Sequence, residues 1–187
     1  MYRAIEPPFT APVREMQRKD LARFFQWFMS IIPGRVEELS GLVKSTPGFE
    51  FCLPNCDPDS LDTLGKRFAD QIETIDPTKP IDEPGNKFTS RTYSLTMDVG
   101  IYLSQVLISN YPMLRWVQPL KHKKFIDYGQ PVLAHFGRTV LNPPRTVLGL
   151  AYGLARKTGD GTDLRRTYNY WSRLNLVRDS GITARPL

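Results

Sequence analysis

Residues 90–116, SRTYSLTMDVGIYLSQVLISNYPMLRW, constrain the fold most, because they join a long apolar helix to a strand across a proline. On the helical period Leu95, Val99, Tyr102, Leu103, Val106 and Leu107 share one broad face. Ser94, Asp98, Gln105 and Ser109 form a narrow polar stripe opposite, interrupted by Ile101. A face that wide belongs in a core, and the stripe reads as solvated, with Asp98 either part of it, a hydrogen-bonding partner for another helix or the lining of a cleft. Tyr111 precedes Pro112, and steric conflict with the proline ring pushes it out of the α region, so the helix should end near Asn110. Met113, Leu114, Trp116 and Val117 then read as a buried strand.

The flanking chain supplies the partners. Pro7, Pro8 and Pro12 keep residues 1–12 extended as a packing arm or edge strand. Leu21, Phe24, Phe25, Phe28, Ile31 and Ile32 follow a core-facing helical stripe, which leaves Trp27 as the surface aromatic. Pro33 and Gly34 are expected to break this helix, with Val36, Leu39, Leu42 and Val43 forming a second one and the two making a hairpin. Residues 49–55 are a strand candidate. Asp57, with Pro58 behind it, should cap a third helix whose stripe is Leu61, Leu64, Phe68, Ile72 and Ile75. Residues 76–86, DPTKPIDEPGN, read as a surface loop.

After the central helix, KHKK at 121–124 reads as a hairpin turn leading to a second strand at 131–136. Asn142 and Pro143 start a helix through Val147, Leu148, Leu150, Ala151 and Leu154, which ends at TGDGT. Thr162 can cap the last helix, with Leu164, Tyr168, Trp171 and Leu174 inward, and residues 179–187 should fray. The fold class expected is mainly helical α+β: about six helices with a small antiparallel sheet, in one domain covering 1–187.

Charge is distributed unevenly. Residues 1–111 carry 12 Lys+Arg against 15 Asp+Glu, net −3, whereas residues 112–187 carry 13 against 4, net +9. Such asymmetry points to an anionic partner: nucleic acid, a phospholipid surface or an acidic protein. The basic candidates are Lys121, Lys123 and Lys124 in the predicted turn and Arg165, Arg166, Tyr170 and Arg173 off the core stripe of the last helix. Guanidinium groups beside an aromatic ring suit bidentate capture of carboxylates, or phosphate contacts with base stacking.

Catalytic patterns do not assemble. His122 and His135 are the two histidines, and no GxSxG surrounds a serine. Neither GxGxxG nor GxxxxGK[ST] occurs, so no nucleotide cofactor is implied. Cys52 and Cys56 are not spaced as CxxC, and no neighbouring Cys or His cluster completes a zinc site; they read as structural thiols, with a disulfide across the Pro54-Asn55 turn as the alternative. GDGTD at 159–163 lacks the alternating acidic ligands and closing glutamate of an EF-hand. Asp98, Tyr102 and His135 remain the one candidate constellation for an enzyme, with nothing in the sequence to join them. Prolines stand where a signal peptide would carry its apolar h-region and no apolar run reaches membrane length, so the expected location is cytoplasmic, with no membrane as partner.

The order PPF at 7–9, the FFQWF helix, SLDTL at 60–64, DVGIYLSQ at 98–105 and LRW at 114–116 resembles small bacterial proteins of the kind encoded as immunity partners of secreted toxins. In those relatives Gly-Glu is expected where this chain has Ser104-Gln105. The resemblance implies a stoichiometric inhibitor that binds and blocks a toxin-like protein without catalysis and without cofactor. It carries over no catalytic residue. Nucleic-acid binding through the basic C-terminal face is the alternative expectation.

Overall fold

The structure is a computed structural model that describes residues 2–45 and 55–179, with side chains as far as 174. Its elements are a 3-10 turn at Val13–Glu15, α1 Arg18–Lys44, α2 Ser60–Ala69, α3 Ser90–Asn110, β1 Arg115–Val117, β2 Val132–Phe136, β3 Thr139–Leu141, α4 Pro143–Ala155 and α5 Asp163–Asp179. The mainly helical α+β class is therefore correct. The described residues hold five α-helices, one fewer than expected.

The discrepancy lies at Pro33. The expected hairpin is a single helix of 27 residues that passes through Pro33 unbroken. An interior proline costs roughly 3 kcal/mol because it removes a backbone donor and crowds the carbonyl one turn back. Here Pro33 and Gly34 lie on the solvent side, where water can satisfy the released carbonyl. The buried stripe stays in phase across them, with Phe28 and Ile32 before and Leu39 and Val43 after. Burying four such side chains outweighs the local cost, since each is worth about 1.5 to 3 kcal/mol.

α3 runs through the centre. Its broad face is buried as expected, but Ser94, Thr96, Asp98 and Ser104 are buried too, and Asp98 is fully so. The polar stripe is thus not solvated, apart from its end at Ser109. The arm lies over it: Ile5 donates its backbone N–H to Ser94 Oγ at 2.8 Å, and Arg3 donates its own to Glu38 Oε1 at 2.6 Å. Phe9 packs edge-on against Phe24 and Trp27, so Trp27 belongs to a small apolar cluster rather than to an open surface.

α4 crosses α3 at close range. A Cβ added to Gly100 would lie 2.7 Å from the Pro144 Cα, so a glycine is what permits the backbones to approach. Asn142 caps α4 as expected, its Oδ1 accepting from Arg145 N at 3.1 Å. The TGDGT turn rests on α2 in the same way, because a Cβ on Gly161 would lie 2.7 Å from Lys66 Cα.

The sheet has the order β1-β2-β3, antiparallel throughout. Trp116 pairs with Leu133 and Leu133 with Leu141, with an irregularity between Leu133 and Phe136, where His135 takes a φ of +84°. β3 was not legible beforehand: it is three residues long, without an alternating pattern. β1 is shorter than expected, and Met113 is 40 % exposed. KHKK is not a tight hairpin turn but part of a long connection, 118–131, between β1 and β2.

α2 also stops early. Leu61, Leu64 and Phe68 are buried, but Ile75 lies beyond the helix and is 56 % exposed. Asp57 organises the turn before it, its Oδ1 accepting from Asp59 N at 2.9 Å. The loop at 76–86 is ordered around Asn86, whose amide donates to the carbonyls of Asp76, Lys79 and Pro80. Residues 49–54 of the strand candidate, Cys52 and the tail beyond 179 fall outside the described residues, while Cys56 is a free, half-buried thiol.

Candidate binding site

Three polar groupings emerge, and one of them is structural. Arg35, from the middle of α1, grips Asp98 on α3 at two points, Nε to Oδ1 at 2.8 Å and Nη2 to Oδ2 at 2.6 Å. The Tyr2 hydroxyl donates to the same Oδ2 and accepts from Arg35 Nη2 at 3.1 Å. Burial pushes the Asp98 carboxyl above its ordinary range, against the opposing pull of Arg35 and Tyr2. The Tyr2 phenol is likewise raised, chiefly by burial and then by the Asp98 charge. With both oxygens engaged and no exposed surface, this carboxylate fastens arm, α1 and α3 together and offers nothing to a substrate.

Two members of the candidate constellation of Asp98, Tyr102 and His135 are engaged by other residues. The Tyr102 hydroxyl shares a hydrogen bond with Ser60 Oγ at 2.7 Å, while Asp98 serves Arg35 and Tyr2. His135 sits on β2 in a left-handed conformation, half-buried. Asp160 in GDGTD accepts from Thr162 N at 2.8 Å and from Thr162 Oγ1 at 2.5 Å, bonds that hold its carboxyl below its usual range. These bonds close the turn that precedes α5, and Thr162, expected to cap that helix, gives its hydroxyl to Asp160 instead. Among the described residues no three His, Cys, Asp or Glu side chains converge as a metal site requires.

The second grouping is the outer face of α5. Arg165 is three-quarters covered and reaches α2, with Nη1 at 2.9 Å from Asp59 and 3.7 Å from Asp62. It therefore braces two helices, and of the predicted site residues it is the least available. Arg166 remains 66 % exposed, paired to Asp163 at 2.9 Å within its own first turn. Such an exposed pair is worth about 0 to 1 kcal/mol and yields readily to a better partner. Tyr170 is 60 % exposed, and its ring stands edge-on to Trp171 at 5.7 Å. Trp171 in turn meets Phe136 of β2 at 4.8 Å, so the exposed ring has a fixed support. Arg173 is exposed one turn from Tyr170.

The third grouping is the connection 118–131. Lys121, Lys123 and Lys124 are exposed, and no ion pair joins them to a carboxylate among the described residues. Phe125 and Ile126 follow them and are 38 % and 59 % exposed. The base of the connection is fixed: Asp127 is buried and accepts from Asn142 Nδ2 at 2.9 Å and Arg145 Nη2 at 2.8 Å, and Tyr128 is buried against α1. Sequence reasoning missed Phe125, Ile126 and Arg35. Two apolar residues after a lysine run carry no sign of exposure, and Arg35 is disguised by the proline expected to end its helix.

The predicted residues thus fall into two patches with separate supports. The lysine loop is anchored on α1 and the start of α4, whereas the arginine and tyrosine face is anchored on α2 and β2. Among the described residues no helix is long and apolar enough to cross a membrane. No protein-family model, curated protein or solved structure matches this chain.

Proposed function

We propose that this chain is a non-enzymatic protein-binding module, an immunity-type inhibitor that binds and blocks an acidic, toxin-like protein through the outer face of α5. The observation that carries the reading is Tyr170, which holds 60 % of its surface in solvent while its ring stands on the Trp171 and Phe136 pair. Rigid exposed tyrosines flanked by arginines are the residues that dominate protein interfaces, because they contribute large contact area at small entropic cost. Arg166 and Arg173 lie one turn from that ring on either side, and bidentate pairing would direct them to carboxylates. The resemblance in the packing motifs points the same way.

The test is co-purification from the native cell, with wild type beside the double variant R166E/R173E. The wild type should retain one acidic protein in stoichiometric amount, and the double variant should lose it while melting at the same temperature, since exposed substitutions usually cost within about 0.5 kcal/mol. A chain that runs alone at native abundance would remove the reading. The same face could meet phosphates with Tyr170 stacking on bases; retention of single-stranded nucleic acid at low salt, falling steeply with added salt, would favour that alternative.

A further inference from the structure

The connection 118–131 carries a second surface that the protein-binding reading does not use. We infer that residues 121–126 form a docking loop for an anionic phospholipid bilayer, in which Lys121, Lys123 and Lys124 lie at the headgroups and Phe125 and Ile126 enter the interface. This proposal stands independently of the α5 face.

Three observations lead there. First, two large apolar side chains are exposed side by side, next to three lysines without ion-pair partners among the described residues. Nearby, Arg14 adds a fourth cation, its Nη2 lying 3.4 Å from the Phe125 carbonyl and 3.3 Å from that of Ile126. Asp127, the adjacent carboxylate, is turned inward onto Asn142 and Arg145, so it does not cancel the loop's charge. Second, the loop is preorganised. Phe125 N donates to His122 O at 2.9 Å, Tyr128 N to Phe125 O at 3.0 Å and Gly129 N to Pro119 O at 2.9 Å, while Gln118 Nε2 ties it to Leu21 O at 2.8 Å. Little ordering entropy is left to lose on docking.

Third, the cation type separates this patch from α5. Lysine is a hydrated point charge on a flexible stem, is depleted from protein interfaces and suits a diffuse anionic surface. Arginine beside tyrosine, as on α5, is the pairing that protein interfaces favour.

Vesicle flotation tests this. Vesicles of phosphatidylcholine with about one-third phosphatidylglycerol should float the wild type, whereas pure phosphatidylcholine should not. K123Q/K124Q should weaken partition on the order of twenty-five-fold, since each lysine near such a surface contributes about fivefold. R166Q/R173Q removes the same charge elsewhere and should float almost as the wild type does. Phe125→Trp should add a component to the emission spectrum that shifts to shorter wavelength on the anionic vesicles. Equal losses in the two glutamine pairs would mean general charge attraction and would overturn the proposal. An unshifted Phe125→Trp spectrum on bound vesicles would overturn it too, as would single-stranded RNA retained through Lys123 and Lys124 without any flotation. A chain that floats but captures no protein would leave the loop standing and remove the α5 reading.

Discussion

Arg35 and Asp98, 63 residues apart in sequence, meet in a two-point ion pair at 2.8 and 2.6 Å where α1 crosses α3, with the arginine side chain 13 % exposed and the aspartate wholly buried. A pair of this kind is tolerated because both carboxylate oxygens are hydrogen-bonded; it stabilises little relative to apolar residues of the same shape, and losing one partner is costly. Asp98→Ala should therefore destabilise by about 3 to 5 kcal/mol, leaving Arg35 charged and unpaired. Arg35→Met with Asp98→Leu should recover much of that loss. Urea unfolding of the three proteins decides it, and a double variant no better than the single one would show that the pair contributes through more than mutual neutralisation.

The arm depends on the same pair. Tyr2→Phe removes one hydroxyl that donates to Asp98 and accepts from Arg35, and a hydrogen bond to a charged group is worth about 1.5 to 3 kcal/mol. The variant should melt lower, and cleavage by a protease within residues 2–12 should speed up while the rest of the chain stays resistant. Unchanged arm cleavage would place its anchoring at Phe9 instead.

Acidification should loosen the arm at a second point. Glu38 is held below its ordinary value of 4.5, chiefly by the hydrogen bond from the Arg3 backbone N–H. A carboxylate whose folded pKa is depressed contributes stability that is complete above the unfolded value and is lost as pH falls through the folded one. Proteolysis of the arm should thus accelerate below about pH 4.5 in the wild type, and Glu38→Gln should show the faster rate at neutral pH with a flatter pH profile. A parallel profile in the variant would assign the acid sensitivity to another group.

Gly100→Ala places a Cβ 2.7 Å from the Pro144 backbone, where no side-chain rotation relieves the overlap. Overpacking of this kind costs about 1 to 3 kcal/mol, although alanine is by itself the better helix former. Thermal melts of Gly100→Ala and Gly34→Ala compare the two effects, because Gly34 has open space around it. Gly34→Ala should be neutral or stabilising, and a similar result at Gly100 would mean that α4 shifts without cost.

The elements with strong periodicity were legible in the linear chain. α3 and its end before Pro112, the Asn142 cap of α4, and the inward faces of α1 and α5 follow from apolar spacing and local hydrogen-bonding residues, which act within one or two turns. The charge imbalance likewise named the basic residues without structure. Tertiary packing decided the rest. Pro33 breaks a helix in isolation, yet the in-phase stripe on both sides gains more by burial than the missing hydrogen bond loses. Asp98 looked solvated because Arg35 and Tyr2, its partners, are distant in sequence and no local pattern links them. Arg165 lost its place at the basic face to Asp59, just before α2, and Asp62 within it, and Phe125 and Ile126 are exposed because Asp127 and Tyr128 turn inward instead. Exposure is a property of what else packs nearby, and that is settled by contacts the linear order does not contain.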